Sequence, residues 1–211
     1  MKIFSSKYFI WAVVILLITL TILAIVHFSG SGKRRKIADL AIDEFQVWNS
    51  GKTKETNPAM QSHLSKYWAA SGSKDYGYSA AWSAAFISWL FKTTGAGNQF
   101  PYASAHNIYI REAVKNRKAG VKKGILGYRP AEHKVRVGDL ICYPRQSGVT
   151  YDSDHAYKSH CDLIVDIDRR TNQAITIGGN VSDSVSKSIY QLSPEGYVID
   201  KKVHVVLKNQ T

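Results

Sequence analysis

Serine and histidine are residue types that can carry hydrolytic chemistry, and Ser83 and His160 each stand in a strongly patterned run. Ser83 lies in the run AWSAAFISWLF (Ala81 to Phe91), where Trp82, Ala85, Phe86, Trp89 and Leu90 recur at helical spacing. Gly95 and Gly97 supply the stop. The spacing predicts a core helix that begins near Ser79, whose hydroxyl would cap it, so that Ser83 falls in or near the first turn among free backbone N–H groups. A serine hydroxyl is not ionised by a helix terminus alone; it must surrender its proton to a base during attack. His160 opens the run HCDLIVDI, where alternation puts His160, Asp162 and Ile164 on one strand face and Cys161, Leu163 and Val165 on the other. The alternative is structural, with Ser83 simply a small residue packed beside Trp82.

Other residues invite weaker readings. His106, in SAHNIYI at an expected helix start, could line the same cleft, although a lone histidine is more often capped or half-exposed than catalytic. Cys142 and Cys161 could form one disulfide or stand as separate buried thiols; small buried cysteines are common, and the buried-thiol reading is preferred. Asp152, Asp154, His155, His160 and Asp162 are residue types that bind zinc or calcium, yet they lack the rigid spacing of metal motifs, and no metal or cofactor is expected. Asn180-Val181-Ser182 matches a glycosylation sequon, a pattern frequent by accident; the Gly178-Gly179 turn before it would let backbone pass close to a ligand.

The elements that must position these residues follow from periodicity. Ile37, Leu40, Ala41, Phe45 and Trp48 predict an amphipathic helix over 35–49. Pro58 opens a second helix to Ala70, with Met60, Leu64, Tyr67 and Trp68 on its apolar side and Gly72 at its end. A fourth helix is expected from Ser104 or Ala105 to about Asn116, buried through Ile108, Ile110 and Val114. From Gly138 the pattern turns to short β-rich runs: 139–143, 161–167, 174–177, 188–192 and 197–207. Helices first and strands afterwards make an α+β domain. The long polar segment 144–159 is a candidate binding loop or lid.

The 211 residues contain one domain preceded by an anchor. Phe9 to Phe28 reads FIWAVVILLITLTILAIVHF, an apolar run of about 20 residues, long enough to cross a bilayer and longer than a signal peptide needs. The expected organisation is a short basic N-terminus (1–8), a transmembrane anchor (9–28), a basic linker (29–36) and a domain over 37–211. Of the net charge of +12, the six cations Lys2, Lys7, Lys33, Arg34, Arg35 and Lys36 flank the anchor; removing them leaves +6 spread along the domain. No dense basic stripe points to nucleic acid, and an anionic wall polymer or membrane surface is as good a partner. Charge on the two sides of the anchor favours a cytoplasmic domain only slightly.

Four segments in order, AWSAAFISWLF, GDLICYPR (Gly138 to Arg145), SHCDLIVDI (Ser159 to Ile167) and IGGNVSDSV (Ile177 to Val185), resemble the papain-like CHAP amidase/peptidase domains and their NlpC-type relatives. In those families W-C-A-x-F-V-x-W presents the nucleophile, G-D-L-V follows, and H-x-G-I-V presents the histidine. The likeness is closest to a bacterial domain family of unknown function with W-S-A-A-F-I-S and H-C-D-[IL]-V, and covers about 36–207. It implies a papain-like domain, its helical N-terminal half packed on an antiparallel sheet, with Ser83 where the family keeps its catalytic cysteine. His160 then stands as general base, with Asn180 or Asp162 as third member. The implied function is cleavage of amide bonds in peptidoglycan stem peptides, by a single-pass protein of the cytoplasmic membrane whose domain faces the envelope. A catalytically inactive module that binds wall peptides or a partner protein in the same cleft is the alternative.

Overall fold

The computed structural model describes residues 6–211, with the side chains of 6–10, 17 and 20–31 outside the description. Four α-helices precede six strands: α1 (Ser6–Val47), α2 (Gln61–Ser71), α3 (Ser83–Thr93), α4 (His106–Lys118), β1 (Gly124–Tyr128), β2 (Leu140–Pro144), β3 (Ser159–Asp168), β4 (Gln173–Gly178), β5 (Ser186–Gln191) and β6 (Val205–Gln210). The strands form one antiparallel sheet in the order β1-β6-β2-β3-β4-β5. The class is α+β, as the order of helical and β patterns predicts.

The helix expected over 35–49 is the C-terminal part of a longer one, since α1 runs unbroken through Ser29-Gly30-Ser31-Gly32. Its buried stripe is Ile37, Ala38, Ala41 and Phe45, joined by Trp48 just past its end. Among the described residues no helix is long and apolar enough to cross a membrane; the span expected over 9–28 falls where many side chains lie outside the description. Glu44 fastens this stripe to α2: buried, it accepts hydrogen bonds from Tyr67, from His63 Nδ1 at 2.6 Å and from Lys66 Nζ at 3.1 Å. Burial alone would raise its pKa, but those donors outweigh it and the net shift is downward.

An aromatic cluster joins the helices. Trp82 stacks on Trp48 at 5.2 Å and on Tyr67 at 5.6 Å, and Tyr67 meets Phe86 edge to face. Buried indole N–H groups find acceptors: Trp48 Nε1 donates to the Tyr67 hydroxyl at 3.0 Å and Trp82 Nε1 to Glu55 at 2.6 Å. The main core continues into the sheet through Cys142, Cys161, Leu163, Val165 and Leu207, while Ile141, Ile164, Tyr190 and Val206 form a second cluster with the loops beyond. That division is the alternation expected for β3.

Several expectations change in detail. β1 (GILGY) is short and holds two glycines, so its pattern is faint; Gly127 is required because a Cβ there would lie 2.8 Å from the Val114 backbone nitrogen of α4. The strand expected over 197–207 is confined to Val205–Gln210, with a single bridge from Val198 to Leu192 before it. Ile108 is exposed, and Tyr109, Ile110 and Ala113 carry the buried face of α4. Most directly, the two cysteines are not separate thiols. Cys142 and Cys161 are register partners on β2 and β3, their Cα atoms 4.2 Å apart, and are joined in a disulfide. Two separate strands with unremarkable sequences gave no local sign of that pairing.

Candidate active site

α3 begins at Ser83 itself, with Trp82 as the preceding cap residue (φ −100°, ψ 4°) and no side chain capping the first turn. Ser79, expected as the cap, instead donates its hydroxyl to the Tyr76 carbonyl at 2.6 Å and closes the turn before the helix. The first intrahelical bond runs from the Phe86 N–H to the Trp82 carbonyl at 3.0 Å, so the N–H groups of residues 83–85 have no partner within the helix. Trp82, held by its two stacking partners and Glu55, fixes where Ser83 stands.

α4 brings the partner. Ser88, one turn into α3, donates to the Ala103 carbonyl at 2.8 Å and accepts from the Ala103 N–H at 3.0 Å. Phe91 stacks on Phe100 at 4.0 Å. These contacts pin 100–103 against α3, and after an extended Ala105 (φ −131°, ψ 125°) the chain enters α4 with His106 as its first residue. His106 Nε2 lies 2.7 Å from Ser83 Oγ, and its Nδ1 is hydrogen-bonded to the Tyr109 hydroxyl one turn on. Burial first, then neighbouring His160 and Arg145, hold the His106 pKa well below the usual imidazole value. Its ring is therefore neutral at neutral pH. In the tautomer with its proton on Nδ1, toward the Tyr109 oxygen, it would offer Nε2 to the serine proton. Burial and the charge of Asp162 push the Tyr109 phenol well above its ordinary value, so it stays protonated.

The expected base, His160, stands beside this pair. Its ring centroid is 5.1 Å from that of His106, and its Nε2 is 2.8 Å from Asp162 Oδ1. The other Asp162 oxygen accepts from the Tyr190 hydroxyl at 2.7 Å, and Arg145 Nη2 approaches His160 Nδ1 at 3.2 Å. An arginine only donates, so Nδ1 is the acceptor and the His160 proton sits on Nε2, facing the carboxylate. Of the expected set, the structure brings Ser83, His160 and Asp162 into one cluster, joins His160 to Asp162, and gives the serine's hydrogen bond to His106. Asn180 sits in the left-handed region (φ 54°) just after Gly178-Gly179 and has no hydrogen bond to His160. The four central residues are nearly sealed: Ser83 is 5% exposed, His106 4%, Asp162 1% and His160 0%.

The two glycines serve this packing. A Cβ on Gly178 would fall 1.9 Å from Asp162 Oδ1, and one on Gly179 would lie 2.6 Å from Phe86 Cβ and 2.8 Å from the Trp82 ring. The close approach foreseen for them is to the site's own side chains. The acidic loop residues are separated from the site: Asp152 pairs with Lys118 at 2.9 Å and Arg129 at 2.5 Å. Among the described residues no group of histidine, cysteine and carboxylate side chains is gathered as a metal site. Segment 144–159 is tied down as well, through Tyr151, whose hydroxyl donates to the Gly127 carbonyl at 2.8 Å. Tyr109, Tyr190 and Arg145 went unremarked in the sequence; only Tyr109, three residues beyond His106 on one helix face, left a local sign.

The fold and cluster define an α+β domain with a buried serine–histidine pair at a helix N-terminus beside an aspartate–histidine pair. A family model described as an uncharacterized protein conserved in bacteria (DUF2272) matches residues 42–210, and the chain belongs to that family. No curated protein and no solved structure matches it.

Proposed function

We propose that this protein is a papain-like hydrolase of the CHAP and NlpC type, tethered to the membrane and facing the cell envelope, that cleaves amide bonds in peptidoglycan stem peptides. The observation that carries the reading is the 2.7 Å hydrogen bond between Ser83 and a neutral His106 whose other nitrogen is held by Tyr109. Nucleophile, base and orienting group stand in the required sequence. His106 takes the role of base that the family resemblance would give to His160. Ser83 Oγ attacks the scissile carbonyl carbon while its proton passes to His106 Nε2. The oxyanion meets the unpartnered N–H groups at the start of α3. His106 returns the proton to the leaving amine, and water then releases the acyl group. The buried Asp162 carboxylate offsets the transient imidazolium charge through the neighbouring pair.

The disulfide supports an oxidising compartment, outside the cytoplasm. Exposed Trp11, Val13, Val14, Ile15, Leu16 and Ile18 on α1 support the anchor at 9–28. The near-complete burial of Ser83 favours the alternative, a non-catalytic module on the same scaffold. One assay separates them: full-length protein in detergent is incubated with purified peptidoglycan and released peptides are scored for wild type, Ser83→Ala, His106→Ala and Ser83→Cys. Both alanine variants should lose turnover by about a thousandfold or more. Unchanged turnover in Ser83→Ala would overturn the reading, and turnover in Ser83→Cys alone would favour the inactive module, since a thiol ionises where a hydroxyl does not.

A further inference from the structure

Arg145 follows β2 directly, and its backbone N–H bonds the Lys158 carbonyl at 2.8 Å at the neck of segment 144–159. Its side chain is exposed, yet its guanidinium reaches inward to the wholly buried His160, with Nη2 3.2 Å from Nδ1. Its positive charge also acts on the Tyr143 phenol, opposing the upward shift that burial imposes there. Among the described residues no carboxylate pairs with it. Asp162 spends its two oxygens on His160 and Tyr190, and Asp200 accepts from the Gln191 N–H. A second cation stands on the same patch: Lys202 Nζ lies 5.0 Å from the Tyr143 ring centroid and 4.7 Å from that of Tyr190. A permanently charged fork of five donors is thus turned from the surface toward a ring nitrogen of the buried cluster, with another cation nearby and, among the described residues, no salt-bridged carboxylate on either.

We propose that Arg145 is the specificity residue of this site and that its ligands are peptides ending in a free α-carboxylate, which Arg145 binds through two parallel hydrogen bonds and which draw it away from His160. The cluster runs from Ser83 through His106 and His160 to Arg145 by direct contacts. Along that path a carboxylate held at Arg145 sets a peptide bond within about three or four residues of the C-terminus over Ser83, each residue spanning roughly 3.5 Å. The inference rests on the hydrolase reading for that last step, which makes the reaction a cleavage near the free C-terminus; water splits the amide into a carboxylate and a short C-terminal peptide with a free amine.

Binding can be measured without turnover. Full-length Ser83→Ala protein with nitrogen-15-labelled histidine, in detergent micelles, is titrated with N-acetyl-alanyl-alanine and with its C-terminal amide while the imidazole resonances are followed. The free acid should shift the His160 ring signals and bind about tenfold or more tightly than the amide, as expected for a charge-assisted bidentate pair. Arg145→Gln should erase that preference, and Arg145→Lys should keep part of it. Equal binding of acid and amide, a preference that survives Arg145→Gln, or binding of neither peptide at millimolar concentration would overturn the proposal. A failure of the hydrolase reading shows instead as unchanged peptidoglycan turnover in Ser83→Ala.

Discussion

His106 and His160 are adjacent buried imidazoles with opposite surroundings. His106 has only neutral hydroxyl partners, Ser83 and Tyr109, and burial keeps it uncharged. His160 lies between a carboxylate and a guanidinium, Asp162 on one nitrogen and Arg145 on the other. A ring with neutral partners is free to take a proton briefly and give it back, whereas a ring whose two nitrogens are claimed by ionised groups is fixed in one tautomer. Under the proposed mechanism the pair divides labour, with His106 moving the proton and His160 holding charge and shape.

Removing the charge on one side should separate the two most strongly. Asp162→Ala strands a buried histidine and a buried tyrosine and should cost about 3–5 kcal/mol in chemical denaturation. Tyr109→Phe, which removes only a neutral hydrogen bond from His106, should cost about 1 kcal/mol. Equal losses would end the distinction.

The disulfide directly beside His160 gives the next effect. Replacing Cys142 and Cys161 together with alanine should lower stability by about 2–4 kcal/mol. The His160–Asp162 side should loosen first, read as faster amide exchange in β2 and β3 than in α3 and α4. Uniform acceleration would show that the bond does not favour one side.

The smallest effect is one of pH. His106 has a depressed pKa in the folded protein, so above about pH 6.5 it is neutral both folded and unfolded and adds no pH dependence. As pH falls below that value the unfolded chain takes up a proton that the folded one refuses. Stability should then fall by up to about 1.4 kcal/mol per pH unit for this histidine. His204, also lowered by burial, acts in the same direction. Denaturation of wild type and His106→Asn between pH 7.5 and 5 checks this; an unchanged slope in the variant would show that His106 is not held neutral.

The individual elements were legible to different degrees. The helices carrying Trp68 and Trp82, and the face division of β3, follow from spacing because a helix or strand repeats its burial every 3.6 or 2 residues whatever it packs against. Gly72 ends α2 in the left-handed conformation (φ 76°), as its place in the sequence predicts. β1 was hidden because glycines 124 and 127 answer to neighbours elsewhere in the chain, Gln99 and Val114. α1 continues through Ser-Gly-Ser-Gly, against the breaker reading of that segment.

The sequence alone determined that Ser83 lies near the start of a buried helix and that His160 and Asp162 share a strand face, because both are matters of local period. It determined the order of helices before strands as well. Only the tertiary structure decided which histidine is hydrogen-bonded to the serine, that Arg145 approaches the other, and that Cys142 meets Cys161. Those are pairings across 23, 15 and 19 residues, set by where Ser88 and Phe100 pin the approach to α4 and by the register of β2 on β3. No local pattern encodes such a meeting, because each partner's environment is created by the packing of segments distant in the chain.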